Sequence, residues 1–188
     1  MYKKGKRGML FDLVVITLIQ VLAIGWGARA LYLNRPYFMV FTVDRFEVIS
    51  IREVDVDTIK DPAFLDKPFT GMVELYANLP KDHQRFQKLI REVMFEGKPD
   101  IQFRPEFWSL YPERQELALE VSQPLQKLRA ARPEASRAID KLVQAHGGNL
   151  NNLQFVPGLI NDGQFTVILD AQTGAVIDFL GINPWLGN

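Results

Sequence analysis

A long apolar stretch near the start of the chain constrains the fold more than any other feature. Residues 10–33 (LFDLVVITLIQVLAIGWGARALYL) contain charged side chains only at Asp12, near one end, and Arg29, near the other. A run of about 20 apolar residues is long enough to cross a lipid bilayer as a helix. No second stretch of comparable length follows in the 188 residues. The sequence therefore predicts one transmembrane helix (residues 9–33) that holds a water-facing domain (residues 34–188).

The distribution of basic residues predicts the orientation of this helix. Residues 1–8 (MYKKGKRG) contain four basic side chains, and few follow the apolar stretch closely. The positive-inside rule then places residues 1–8 in the cytoplasm and the domain outside, which is the periplasm in a Gram-negative cell. One alternative is a cleaved signal peptide, suggested by Ala28-Arg29-Ala30, although the apolar run is long for a signal core. Another is a core helix of a soluble protein, although the run lacks a broad polar face.

Composition and motifs argue against several classes of function. Residues 1–34 carry five basic side chains against one acidic one, and because the whole chain is neutral, the remainder has a net charge of −4. A mildly acidic domain is a poor partner for nucleic acid. The absence of cysteine excludes disulfides and thiolate metal sites. The two histidines, His83 and His146, belong to no HExxH motif, and no Walker A or G-x-S-x-G sequence occurs. We therefore expect no enzymatic activity, no catalytic or metal-binding residue, and no cofactor.

The predicted helix has one face suited to another helix. At about 100° per residue, small and polar side chains fall within an arc of about 80°. They are Asp12, Gln20, Ala23, Gly27 and Ala30. Small residues let a second helix approach closely, and a mid-membrane Gln can form hydrogen bonds across the contact. We predict a helix-partner face here. The alternative is that Gly and Ala are simply frequent in membrane helices.

The remaining pattern predicts an α+β domain with antiparallel strands and a central helical segment. Strands are predicted at residues 37–43, 46–51 and 69–77, the last weakened by Gly71, and an antiparallel meander at residues 155–160, 165–169 and 175–180. Helices are predicted from Asp82 to Gly97, over residues 113–132 with a break at Pro124, and over residues 133–146. Tyr32 and Tyr37 suit the interfacial aromatic belt of a membrane.

One loop of the domain has the composition of a recognition surface. Residues 104–112 (RPEFWSLYP) combine arginine with clustered aromatic side chains, as binding hot spots do. Arg104, Phe107, Trp108 and Tyr111 therefore form a candidate partner-binding loop. The alternative is that these aromatic side chains close over the core.

Several of these residues together resemble a known family. Residues 10–16 (LFDLVVI), Gln20, Gly27, Arg35-Pro36 and residues 40–46 (VFTVDRF) resemble the type IV pilin accessory proteins of the TfpX/TfpZ type. Residues 153–157 and 166–170, Thr173-Gly174 and Pro184-Trp185 extend the resemblance to the other end of the chain. Members of that family usually have two further membrane helices before the basic segment. The chain is therefore expected to be a short form or to have a trimmed start.

The resemblance implies an inner-membrane protein that binds or modulates type IV pilin and promotes or regulates pilus assembly. Its expected partners are type IV pilin, the membrane and, as further candidates, other inner-membrane proteins of pilus assembly, with no nucleic acid. Two alternatives remain open at this point. The chain would be a structural subunit of another envelope membrane complex, or an antagonist of pilus assembly.

Overall fold

A computed structural model describes residues 7–161 and 163–186, with the side chain of Arg7 left out. Most of the predicted cytoplasmic tip, residues 1–8, and Asp162 of the turn between two predicted strands lie outside the described residues. The chain divides into two compact units, Met1–Arg35 and Pro36–Asn188.

The first unit is a single helix, α1 (Arg7–Leu33). Its C-terminal turn is closed by Asn34, whose side-chain Nδ2 donates a hydrogen bond of 2.8 Å to the backbone oxygen of Ala30. Pro36 is the third residue after the end of α1 and disfavours helical geometry at Arg35, which precedes it. The segment Gly8–Leu33 is long and apolar enough to cross a membrane.

The second unit combines one mixed sheet with short helices. Its helices are α2 (His83–Phe95), α3 (Gln115–Val121), α4 (Leu125–Ala131) and α5 (Ser136–Ala145). Its strands are β1 (Pro36–Thr42), β2 (Arg45–Ser50), β3 (Val73–Ala77), β4 (Trp108–Leu110), β5 (Gln123–Pro124), β6 (Leu153–Ile160), β7 (Gly163–Asp170) and β8 (Val176–Leu180). The predicted α+β class is confirmed.

The sheet runs in the order β4-β3-β1-β2-β6-β7-β8, with β5 paired to β6. The predicted terminal meander is present, since β6, β7 and β8 pair antiparallel in sequence. Two pairings are parallel, β1 with β3 and β2 with β6. Parallel partners need long crossover connections. Because β2 runs antiparallel to β1 and β3 runs parallel to it, the segment between β2 and β3 begins and ends at the end of the sheet where β1 begins.

One predicted strand is shorter in the structure, and one predicted helix break has an additional role. The strand predicted from residue 69 begins only at Val73, because Gly71 has a φ of 103° and breaks the extended conformation. Pro124 divides residues 113–132 as expected, and the break itself pairs with β6 as β5. Helix α2 begins where predicted, with Asp82 accepting a hydrogen bond of 2.9 Å from the backbone N–H of Arg85.

Strand β1 lies at the centre of the core and is buried on both faces. Phe38 and Val40 belong to one buried cluster, whereas Met39 and Phe41 belong to another, as the alternation of side chains along a strand requires. Helix α2 packs against the first cluster, and α4 and α5 pack against a third cluster under β6 and β7. Tyr37 is also buried and donates a hydrogen bond of 2.8 Å to the backbone oxygen of Leu65. Its predicted place in an interfacial belt is therefore wrong.

Candidate functional site

Helix α1 exposes apolar side chains around its whole circumference. Large apolar residues of the helix leave 70% or more of their reference area accessible, among them Leu10, Phe11, Trp26 and Leu31. None of the most hydrophobic stretch of the helix is buried in the protein. At a rise of 1.5 Å per residue, the 26 residues of the apolar span are about 39 Å long, against about 30 Å for the hydrocarbon core of a bilayer. Length and exposure both fit a membrane anchor.

The predicted helix-partner face is exposed in the structure. Asp12, Gln20 and Ala23 are exposed, and Gly27 and Ala30 are partly exposed. A Cβ atom added at Gly27 would meet no atom within 4 Å, so the surface there is open to a second helix. The helical spacing brings the five residues onto one side of α1, as predicted from the sequence.

The structure divides the predicted partner-binding loop into a buried half and a surface half. Trp108 lies 5.0 Å from Phe38, measured between ring centroids, and is 7% exposed. Tyr111 is fully buried, and its hydroxyl donates a hydrogen bond of 2.7 Å to the backbone oxygen of Gly174. These two side chains serve the core, which was the alternative considered for the loop. The sequence could not separate the halves, because the pairing of β4 with β3 decides which side chains face inward.

Arg104 and Phe107 form the surface half of the loop, beside helix α2. The guanidinium carbon of Arg104 lies 4.8 Å from the centre of the Phe107 ring, a cation–π contact. The same guanidinium reaches Glu92 of α2 at 2.8 Å and Glu106 at 2.7 Å. These contacts hold the loop against α2 and fix the position of the Phe107 ring.

Glu92 is the centre of this charge network. It is only 5% exposed and accepts hydrogen bonds from Lys98 Nζ at 2.9 Å and from Arg104 Nη1 at 2.8 Å. The hydrogen bonds from Lys98 and Arg104 lower the pKa of Glu92 to about 2. Glu92 is therefore ionised at neutral pH and hydrogen-bonded to Lys98 and Arg104. It is a structural carboxylate and not a free acid or base.

A cleft opens between α2 and the surface half of the loop. Its volume is about 410 Å³, and a second hollow of about 540 Å³ on α2 shares Lys88 with it. The cleft is lined by Asn78, Leu79, Pro80, Arg85, Lys88, Leu89, Glu92, Arg104, Glu106 and Phe107. The second hollow is lined by His83, Gln84, Gln87, Lys88, Arg91 and Phe95. Both hollows are lined by residues of α2.

Helix α2 presents a basic face that the sequence analysis missed. Arg85, Lys88 and Arg91 recur at three-residue spacing and are exposed. Lys88 lies 3.8 Å from the buried Glu92, whereas the pair of Arg91 and Glu96, at 3.5 Å, is exposed and contributes little to stability. The missed feature was this repeat of basic residues within a helix, in a domain that is acidic overall. Such a face can form charge-assisted hydrogen bonds with carboxylates.

The described residues contain no group of three or more His, Asp or Glu side chains arranged to hold a metal ion. His146 Nε2 lies 3.1 Å from Asp178 Oδ2, and the backbone N–H of His146 closes the last turn of α5. This histidine links α5 to the edge strand β8.

Comparison with known proteins gives two similar sequences. The chain is 27% identical over 172 residues to the fimbrial assembly protein, serogroup I, of Dichelobacter nodosus, a match that covers 89% of this chain and 66% of that protein. It is 26% identical, with the same coverage, to the fimbrial assembly protein, serogroup E1, of the same organism. The chain thus spans just under two thirds of the length of these relatives. No family model and no solved structure matches it. This weak similarity supports a relationship to a type IV pilus-related family.

Proposed function

We propose that this protein is a single-pass inner-membrane accessory protein of type IV pilin, with its domain in the periplasm and no enzymatic activity. The observation that carries the proposal is the similarity to proteins named for fimbrial assembly. The match covers 89% of the chain, which is more than the second unit alone, so it reaches into both units. The sequence motifs that resemble type IV pilin accessory proteins also lie in both units.

The first contact in this proposal is made by α1. An apolar helix of pilin in the same membrane would pack against Ala23 and Gly27, where the backbones can approach closely. The side-chain amide of Gln20 makes no hydrogen bond within the described residues, so it is available to a polar group of the partner helix.

The second contact is made by the basic face and cleft of α2. Acidic side chains on the head of pilin would pair with Arg85, Lys88 and Arg91, and an apolar side chain would contact Phe107 in the cleft. Once one contact with pilin has formed, the second forms at a high effective concentration. The full chain can therefore bind pilin tightly although each contact alone is weak.

Crosslinking of the full chain to pilin in membranes tests the helix contact. Gly27→Leu places a bulky side chain on the predicted face and is expected to reduce crosslinking strongly. Gly25→Leu makes the same change about 160° around the helix, and an added Cβ meets no atom within 4 Å at either position. It is expected to leave crosslinking unchanged. Equal effects of the two substitutions would contradict a specific helix face.

A charge-reversal pair tests the domain contact. Lys88→Glu with Arg91→Glu is expected to reduce capture of pilin by the full chain. Arg137→Glu with Lys141→Glu changes the net charge equally on the exposed surface of α5 and is expected to have no effect. Capture of other envelope proteins without pilin would instead support a structural subunit of another complex. Piliation after deletion of the gene then separates assistance from antagonism.

A further inference from the structure

Phe69 is an apolar side chain held away from the protein by an ordered loop. It exposes 104% of its reference area, the largest exposed fraction among the large hydrophobic side chains of the described residues. The loop, residues 66–72, is closed by a hydrogen bond of 2.7 Å from Lys67 Nζ to the backbone oxygen of Gly71. Gly71 has a φ of 103°, which glycine adopts without the strain that a Cβ imposes. The loop conformation therefore presents the Phe69 ring to the surroundings.

Strand register places this loop at one end of the sheet. Strands β1 and β3 are parallel, and Phe38 pairs with Val73. Residues that precede Val73 therefore lie at the end of the sheet where β1 begins. The hydrogen bond from the Tyr37 hydroxyl to the backbone oxygen of Leu65 joins the same segment to the first residues of β1. The Phe69 loop is thus a neighbour of Pro36, where the domain begins.

Chain connectivity then limits how far this end of the sheet can lie from the anchor. Only Asn34 and Arg35 separate Leu33, the last residue of α1, from Pro36. Three Cα-to-Cα steps span at most about 11 Å. If α1 spans the membrane, as the proposed function requires, the first residue of β1 lies within about 11 Å of the end of the anchor. The far end of the sheet, at the β1–β2 turn, has no such limit.

We propose that the Phe69 loop inserts its aromatic side chain into the interfacial region of the lipid bilayer and docks this end of the domain on the membrane. Trp, Phe and Leu side chains are those that amphipathic surfaces bury at the boundary between headgroups and acyl chains. Leu65 and Val56, in the same connection between β2 and β3, are also exposed. Residues 51–72 hold three basic and five acidic side chains, so attraction to anionic lipid does not supply the contact. Burial of apolar side chains supplies the contact instead, so neutral lipid is sufficient for docking.

The test uses the full chain in nanodiscs of phosphatidylcholine. Because the chain contains no cysteine, Thr70→Cys introduces a single site for an environment-sensitive fluorophore next to an intact Phe69. Quenching by lipids that carry a nitroxide near the headgroup reports contact with the membrane. Val43→Cys, an exposed position at the opposite end of the sheet, is the matched control. Val21→Cys, at the middle of the exposed surface of α1, reports insertion of the anchor through lipids that carry the nitroxide on the acyl chain.

The proposal expects strong quenching at positions 21 and 70 and none above background at position 43. Phe69→Ser, combined with Thr70→Cys, is expected to lower the equilibrium constant for lipid contact by about tenfold or more, as the burial of one Phe side chain predicts. Because Phe69 is fully exposed, this change should leave thermal unfolding of the domain unaltered.

Each other outcome identifies which part of the reasoning fails. Quenching at position 21 without quenching at position 70 overturns the loop contact and leaves the anchor intact. No quenching at position 21 overturns the anchor and the loop contact together. Equal quenching at positions 43 and 70, or quenching at position 70 that survives Phe69→Ser, overturns the specific role of the Phe69 loop.

Discussion

Replacing Tyr111 with phenylalanine tests whether this residue belongs to the core or to a binding surface. Tyr111 has no accessible area, and its ring lies 5.1 Å from that of Phe46 and 6.2 Å from that of Phe41. Its hydroxyl donates to the backbone oxygen of Gly174, in the turn between β7 and β8, 63 residues along the chain. Burial raises the pKa of Tyr111, so the hydroxyl remains protonated and able to donate. Tyr111→Phe keeps the ring and removes only this hydrogen bond.

The expected cost follows from the carbonyl that loses its donor. A buried polar group left without its partner costs about 1–3 kcal/mol. For a domain of roughly 150 residues, each kcal/mol shifts the thermal midpoint by about 2–4 °C. A central estimate of about 2 kcal/mol therefore lowers the midpoint by about 6 °C.

Thermal unfolding of the full chain in mild detergent, followed by near-UV circular dichroism, measures this shift. Tyr76→Phe is the matched control, because Tyr76 is half-buried against Phe41 and its hydroxyl makes no hydrogen bond within the described residues. Its midpoint is expected to change little. A Tyr111→Phe midpoint equal to that of the wild type would refute the role given to this hydrogen bond. Loss of pilin capture at an unchanged midpoint would show that Tyr111 contacts the partner.

Three further predictions follow from other parts of the molecule. Glu92→Gln is expected to lower the thermal midpoint of unfolding at pH 7. The difference from the wild type should shrink as the pH falls from about 4.5 to about 2. In this range the unfolded chain protonates Glu92 first, because the pKa of this carboxylate is lowered in the native state. Gly158→Ala is expected to destabilise the domain by about 1–3 kcal/mol in denaturant titrations, since a Cβ would lie 2.4 Å from the ring of Phe165. Val43→Cys is expected to react with a membrane-impermeant maleimide from the periplasmic side.

Each of these predictions has a contradicting result. A Glu92→Gln difference that does not vary between pH 7 and pH 2 would show that its charge does not stabilise the fold. If Phe165→Leu does not relieve the cost of Gly158→Ala, the ring is not the obstacle. Labelling of Val43→Cys only after the inner membrane is permeabilised would reverse the proposed orientation.

The long apolar helix and the secondary structure of the domain were largely predictable from the sequence, because both depend on local patterns. A continuous apolar run predicts a helix long enough to cross a membrane. The meander of β6, β7 and β8 was equally accessible, since short turns force neighbouring strands to pair antiparallel. The basic repeat Arg85, Lys88 and Arg91 was also present in the sequence and was overlooked, because it becomes a surface only when the opposite side of α2 is known to face the core.

Long-range pairing was not predictable from local patterns. The parallel partners of β1 and β2 lie far along the chain, and nothing in β3 or β6 alone specifies those neighbours. That pairing decides that Trp108 and Tyr111 are core residues while Arg104 and Phe107 border a cleft. It also decides that the Phe69 loop lies beside Pro36.

The sequence by itself determined an apolar helix long enough for a membrane, its small and polar face, and a cysteine-free α+β domain behind it. These features follow from composition and periodicity, which act over a few residues. Only the tertiary structure decided which aromatic side chains are buried and where the exposed Phe69 lies in the domain. It also decided that Glu92 pairs with Lys98 and Arg104. The physical reason is that these depend on contacts between residues distant along the chain, which form only when the sheet brings them together.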